Sequence, residues 1–328
     1  MKEAGYRVYL LYTLAPPEDG NRNFAEVYDD IFTFFTPCGM LHFIEQSEFD
    51  IIHSSNAPDL LTNLLLTMDK SVVFDTHDMS SLRGNDSAGE MVMEYVANVY
   101  SGGNIYVSDA VAKTAKRKYG LEKKKILTIE NLVFEQIEIP MPYDKLSLRD
   151  NEIHCVYEGA ISDNTENHRY FEEIWKEIAA QGIHVHFYSN SHNGYCRDLD
   201  EKSKFFHYEG NLGTYKLIQE MTKYDCGLAL FNVTEKNRVH LENATVNKIY
   251  EYLNAQLPIL ISGIKQYKNF IEKYNIGVWH NSNEDIGEQI KQTCQKKVRP
   301  NFLQEHRLTM KSVTNNLIEF YEQVVSSK

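Results

Sequence analysis

No stretch of this 328-residue sequence stays apolar for the length a bilayer-spanning helix needs, which excludes a helical membrane protein. No Cys-x-x-Cys pair occurs. The five cysteines, Cys38, Cys155, Cys196, Cys226 and Cys294, are scattered and odd in number, which argues against a disulfide framework and fits free thiols in a reducing compartment. No His/Cys group has linear metal-ligand spacing, so no metal is expected. The start carries no charged-then-apolar leader, and a cytoplasmic protein is the expectation. Positive charge is also short: 34 Lys and Arg face 46 Asp and Glu, a net charge of -12 that argues against wrapping nucleic acid. No repeat, low-complexity segment or Ser/His/Asp order suggests an array or a covalent hydrolase. What is present, 42% hydrophobic and 24% charged residues, is the composition of a globular protein long enough for two domains.

Along the chain, short β-branched runs alternate with helical periodicity. Lys2-Glu3-Ala4-Gly5 reads as a helix end and Arg7–Tyr12 as a strand. A loop with Pro16, Pro17 and Gly20 leads to an aromatic helical region over 23–46, interrupted near Pro37. Strands are expected at 49–53, 71–75, 104–107 and 125–129, with helices at 60–68, 88–100 and 109–119 between them. Residues 134–151, with Pro140 and Pro142, break the rhythm and read as a linker, dividing the chain into domains 1–140 and 141–328. Alternation then resumes through strands at 153–157, 184–188, 204–208, 227–231, 257–262 and 277–280, and two terminal helices are expected to pack back towards the first domain. Such alternation implies parallel sheets with helices on both faces, and two such domains would place a ligand cleft at the carboxyl ends of their strands.

One stretch is the most informative: Thr245-Val246-Asn247-Lys248-Ile249-Tyr250-Glu251-Tyr252-Leu253-Asn254-Ala255-Gln256-Leu257-Pro258. It reads as a short helix feeding a buried strand, with Pro258 stopping the helix. A lysine at a helix start opposes the macrodipole, so Lys248 is either tolerated surface or answers an anion, which the free N–H groups there would also attract. A carboxylate one turn on, Glu251, would suit the hydroxyls of whatever carries the anion. Phosphate followed by diol describes a nucleotide. The bland alternative is a Lys248–Glu251 pair on one helix face, worth a few tenths of a kcal/mol.

Strand ends supply the remaining candidates: His53, the "FDTHD" run containing His77, and "VYEGAIS" with Gly159. Together with "VSDAVAKTAKRKYG", "ILTIENLVF", "YDCGLAL" and "NKIYEYLNAQLPILIS", in that order, these resemble the GT-B fold retaining glycosyltransferases of family 4 over nearly the whole chain. The resemblance implies an α/β chain of two Rossmann-like domains facing across a cleft. It also implies metal-independent sugar transfer, with retention, from a UDP- or GDP-type sugar to a hydroxyl of a glycan or lipid-linked acceptor, with no cofactor. By the same resemblance Glu251 would hold the donor ribose, the N–H groups around Thr245, Val246 and Asn247 the diphosphate, Gly159 the phosphate-facing loop, and His77 would lie against the sugar as the catalytic-side histidine. The sequence departs from the pattern in three places. Ala160 follows Gly159 where the family has a cation, which leaves Arg169 or Lys248 to face the diphosphate. Asn243 stands where the first glutamate of the commoner E-x7-E pattern would fall. Lys2-Glu3-Ala4-Gly5-Tyr6 matches the end of the family's first helix, so the resemblance starts past its first strand and Gly loop.

Two alternatives to the transferase are a non-catalytic GT-B partner or remnant, and a nucleotide-sugar 2-epimerase of the same architecture, which would want further carboxylates. Asp198-Leu199-Asp200 spells a metal-binding DxD, expected to be a chance match in a polar loop. Lys113, Lys116, Arg117, Lys118, Lys123, Lys124 and Lys125 form a basic patch over 113–125, read as a solvated helix face or as a peripheral contact with anionic lipid.

Overall fold

Twelve short strands form among the described residues, and every strand pair is parallel. The structure is a computed structural model describing residues 1–13, 27–56, 58–83, 87–135, 137–139, 142–191 and 193–327. The Pro16–Gly20 loop, residues 23–26 of the expected helical region and Pro140 lie outside that set. The chain divides into two compact units, residues 1–130 with 311–328, and residues 131–310.

In the first unit, β1 (Tyr9–Thr13) pairs with β2 (Asp30–Phe34), and β3 (Ile52–Ser55), β4 (Val72–Thr76), β5 (Gly103–Tyr106) and β6 (Ile126–Thr128) form a four-stranded sheet in chain order. Helix signals act as the sequence indicates. Ser87 caps the helix Ala88–Tyr100, its Oγ accepting from Glu90 N at 3.2 Å. Ser108 caps Asp109–Tyr119, which ends on the left-handed Gly120 with three cations in its last turn. The aromatic region 23–46 is not helical throughout. Asp30–Phe34 is a strand whose Phe32 packs against Tyr9 and Phe43, with ring centroids 6.2 and 4.6 Å away. Pairing with β1 and aromatic packing override helical periodicity there. Pro37 is not an interruption but the first residue of the helix Pro37–Gln46, capped by Thr36.

The second unit holds a six-stranded sheet of β7 (His154–Glu158), β8 (His184–Tyr188), β9 (Phe206–Tyr208), β10 (Cys226–Ala229), β11 (Ile259–Ile261) and β12 (Gly277–Trp279), in the order β12-β11-β10-β7-β8-β9. Strand order reverses between β7 and β10, the switch point outside which α/β sheets bind ligands. Buried side chains cover both faces. Ile249, Tyr252, Leu253 and Ile259 lie in one cluster, and Tyr157, Trp175, Phe187 and Leu228 in the other.

The division between units differs from the 140/141 boundary read from the sequence. Residues after 130 already belong to the second unit, because Leu132, Val133, Ile137 and Ile139 pack against its core and Ile137 N donates to Asn254 Oδ1 at 3.0 Å. The Pro-containing segment is therefore partly a strap on that core, not a free linker. Residues 311–328 belong to the first unit through the helix Met310–Val325, whose Phe320 and Val324 are buried against Val73 and Ile105. Glycines make this approach close: a Cβ on Gly103 would stand 2.7 Å from both Phe320 and Val324. Among the helices not expected are the short Ser147–Asp150, in the segment read as a linker, and two others. Asn193–Glu201 occupies the segment read as a polar loop, where Cys196 and Leu199 are buried, and Arg238–Asn243 precedes the Lys248 helix.

Candidate functional site

The helix Lys248–Asn254 is only seven residues long, and six of them are buried. Lys248 is consequently not tolerated surface. Its residue is 8% exposed, and its Nζ sits 3.9 Å from the Tyr157 ring centroid and 5.6 Å from that of Phe231. Ring faces attract an ammonium but do not replace its water. Among the described residues no carboxylate lies within ion-pair distance of it, and burial lowers its pKa to about 8 despite the nearby Glu158 charge. The Lys248–Glu251 surface pair considered from the sequence does not form.

Glu251 turns instead to Glu158, the last residue of β7, and the two carboxyls share a hydrogen bond. Burial first, then the charge of Glu158 and that hydrogen bond, hold the Glu251 carboxyl well above the usual range. Two carboxyls in such contact keep one proton between them. Tyr252 fixes the strand end to the helix, its Oη accepting from Glu158 N at 3.1 Å and donating to Leu228 O at 3.0 Å.

Gly159 follows with φ +120°, a conformation that side chains rarely adopt, and a Cβ there would stand 3.3 Å from Lys248 Nζ. Where the family pattern has a cation the chain has Ala160, whose carbonyl accepts from Tyr157 Oη at 2.7 Å. The lysine from the helix is what lies beside the glycine. Arg169 is exposed in the loop beyond, yet its charge is felt by both Tyr157 and Lys248. Glu251, Lys248, Gly159 and Arg169 are thus brought to one end of the second unit, at its switch point.

Of the backbone N–H groups expected at the diphosphate, that of Val246 already has a partner within the chain. Val246 N–H donates to Tyr267 Oη at 3.3 Å, and Thr245 Oγ1 accepts from Asn131 Nδ2 at 3.2 Å. Asn247 caps the helix without a side-chain bond, its carbonyl accepting from Tyr250 N and Glu251 N. Lys248 and Arg169 are the side-chain cations of this end.

His77 lies in the first unit, just after β4, with 46% of its side chain exposed and Nε2 3.5 Å from Asp75 Oδ2. The same carboxylate oxygen lies 3.0 Å from His53 Nε2, and His53 Nδ1 meets Tyr321 Oη at 2.5 Å. Burial would raise the Asp75 pKa, but hydrogen bonds from His53 and His77 prevail and leave it at about 2. Asn56 Oδ1 accepts from His77 N at 2.9 Å, fixing the backbone of the loop.

Of the basic patch, Lys118 lies 3.5 Å from Glu94, Lys124 donates to Val99 O and Ser101 O, and Lys125 to Gln323 O and Ser327 Oγ. Lys113, Lys116, Arg117 and Lys123 remain exposed. Asp198 and Asp200 sit on the helix Asn193–Glu201, where Asp200 Oδ1 accepts from Tyr208 N at 2.7 Å.

Sequence reasoning missed two clusters. Glu158 was visible only as the residue before Gly159, and nothing in linear spacing tied it to Glu251. The second cluster comprises Asp150, His154 and His184, each offering one ligand atom within 4.8 Å of the others. Its two histidines come from adjacent strands in register, His154 opposite His184, and Asp150 ends the short helix Ser147–Asp150 before β7, a meeting that a search for linear spacing does not detect. The alternating His-x-His at 184–186 was the available signal.

Residues 165–314 match the family described as Glucosyltransferase 3-like, C-terminal domain. This glucosyltransferase 3-like segment covers most of the second unit, including Arg169, Lys248 and Glu251. A comparison with curated proteins found no match. Among solved structures, HepE from Anabaena in complex with UDP is similar with a TM-score of 0.66 at 13% identity, over 96% of this chain and 99% of that one. A glycosyltransferase from Rickettsia africae gives 0.65 at 11% identity, over 100% of this chain and 92% of that one. AviGT4, a glycosyltransferase involved in avilamycin A biosynthesis, gives 0.60 at 13%, over 100% and 87%. The chain has the α/β fold of these GT-B glycosyltransferases, with parallel sheets.

Proposed function

We propose that this chain is a glycosyltransferase that moves a sugar from a nucleoside-diphosphate donor, of UDP or GDP type, to the hydroxyl of a glycan or lipid-linked acceptor, with retention and without a metal at the reacting centre. The observation that carries the reading is the pairing of a buried, unneutralised Lys248 ammonium with the Glu158–Glu251 carboxyl pair beside Gly159, at the switch point of a parallel sheet. A diphosphate at Gly159 supplies the counter-charge Lys248 lacks, and the carboxyl pair, one turn away, accepts the ribose diol. Arg169 adds a second cation at the rim. Lys248 and Arg169 then stabilise the diphosphate as it departs, which is where charge develops in the transfer. His77, held by Asp75, is the residue assigned to the sugar. The glucosyltransferase 3-like match, and HepE solved with UDP, support a UDP-type donor.

The test is calorimetry of the full chain with UDP- and GDP-sugars, beside Glu251→Ala. Binding of one donor to wild type and at least tenfold weaker binding to the variant is the expected result. If neither donor binds wild type, the donor site is wrong. Donor bound without transfer to any glycan acceptor would instead favour a non-catalytic partner.

A further inference from the structure

In the first unit, the helix Ala88–Tyr100 is turned inside out. Its buried positions are Glu94, Ala97 and Asn98, so a carboxylate and an amide point into the protein. Both have partners there. Ser81 N and Oγ donate to the Glu94 carboxylate at 2.9 and 2.7 Å, Tyr119 Oη donates to it as well, and Asn98 Oδ1 accepts from Tyr106 Oη at 2.6 Å. The other charged residue of the helix, Glu90, accepts from Ser87 Oγ at 2.9 Å at the capped start.

The opposite face is apolar. At about 100° per residue, Val92, Tyr95 and Val99 form a stripe along it, with Met91, Val96 and Tyr100 on its flanks. Val92 is 60% exposed and Tyr100 65%, and Met91 and Tyr95 are exposed beside them. A surface helix ordinarily turns its apolar stripe inward, and a contiguous apolar face left outside marks a contact site. The neighbouring segment 109–125 supplies charge of one sign: seven Lys and Arg against Asp109 and Glu122, in a chain whose net charge is -12. That segment meets the helix directly. The Tyr119 ring lies 5.9 Å from that of Tyr95, Lys118 Nζ 3.5 Å from Glu94, and Lys124 Nζ donates to Val99 O at 2.9 Å. Lys113, Lys116, Arg117 and Lys123 are exposed on the same segment.

We propose that the outward face of the helix Ala88–Tyr100, with the cations of 109–125 at its edge, docks on a lipid bilayer that carries acidic headgroups. Thirteen residues are too few to span a bilayer, so the helix lies in the plane of the surface. The aliphatic stripe enters the boundary of the acyl chains, Tyr95 and Tyr100 sit at headgroup depth, and the ammonium and guanidinium groups meet the lipid phosphates. Charge selects this occupant over a second copy of the chain. Isologous pairing through the face would set two cationic segments against each other, and the stripe holds no carboxylate to answer them. The inference goes beyond sugar transfer and does not rest on it, since neither donor nor acceptor enters its test.

The test is sedimentation of the full chain with vesicles of phosphatidylcholine alone and of phosphatidylcholine mixed with phosphatidylglycerol. Expected is binding to the mixed vesicles that weakens as salt is added, with little binding to phosphatidylcholine alone. Val92→Glu puts a charge in the stripe, and the pair Lys116→Glu with Arg117→Glu reverses charge on the other helix; each should weaken binding by roughly tenfold or more. All three positions are exposed, so thermal unfolding of both variants should match wild type. No binding by wild type, equal binding to the two vesicle types, or binding unchanged in both variants overturns the proposal. So does light scattering that finds a dimer which Val92→Glu dissociates, with no vesicle binding; that result gives the face to a second copy.

Discussion

Lys248→Met separates folding from binding. The ammonium titrates at about 8 rather than 10.5 because burial strips its water. Between those values the unfolded chain binds more protons than the native one, so stability rises with pH across the window from about 8 to 10.5. Below pH 8 the full penalty applies, about 3 kcal/mol at 1.36 kcal/mol per unit. Contact with the Tyr157 ring returns ~0.5–2 kcal/mol, so methionine, of similar length and apolar, should stabilise the second unit by about 1–2 kcal/mol at pH 7. Trp175 and Trp279 are the two tryptophans of the chain, and both lie in that unit, so tryptophan fluorescence during urea unfolding reports on it. The gap between variant and wild type should narrow by pH 10. Donor binding should be lost in the variant at either pH. A variant less stable than wild type at pH 7, or a gap that does not change with pH, refutes the picture of an uncompensated buried charge. A stabilised variant that still binds donor refutes its use.

Other expectations follow from the same geometry. Donor affinity in wild type should fall as pH rises above about 8, where Lys248 loses its proton, and calorimetry from pH 7 to 9.5 reads this directly. Gly103→Ala places a methyl 2.7 Å from Phe320 and Val324, and should destabilise the first unit by about 1–3 kcal/mol; hydrogen exchange in the helix Met310–Val325 should rise with it. Thiol titration of the native chain should show Cys38 reacting first, since it is exposed, while Cys155, Cys196 and Cys226 are buried and react only on unfolding. Equal rates for all five thiols would contradict that burial.

Helices with side-chain caps and strands with continuous apolar runs were legible in the sequence. Ala88–Tyr100, Asp109–Tyr119 and His184–Tyr188 have the bounds their caps and periodicity imply, because local chemistry and tertiary packing agree there. Asp30–Phe34 was not legible, since its aromatic spacing fits a helix until β1 supplies a parallel partner. The helix Asn193–Glu201 was masked by its polar face; what makes it a helix is a buried side where Cys196 and Leu199 pack. At the candidate site, Lys248 and Glu251 could be singled out because they stand three positions apart on one short helix. Glu158 could not, because its relation to Glu251 exists only after β7 and that helix have met. The same holds for the domain boundary: prolines near 140 suggest a linker, but Leu132, Val133 and Ile137 are claimed by the core of the second unit.

Both charged clusters of the second unit draw on β7, and the contrast between its two ends is instructive. At the carboxyl end of β7 a cation is buried on aromatic rings beside two carboxyls that share a proton, an arrangement with unspent polar capacity. Burying that cation without an ion-pair partner costs free energy, and the capacity matches an anion followed by a diol. At the amino end of β7 and β8 each imidazole nitrogen of His154, His184 and His186 already has a partner. The first end keeps polar capacity for an organic anion, whereas at the second the polar atoms satisfy one another. Donor binding should therefore alter the Lys248 end while the hydrogen bonds among these imidazoles keep their partners.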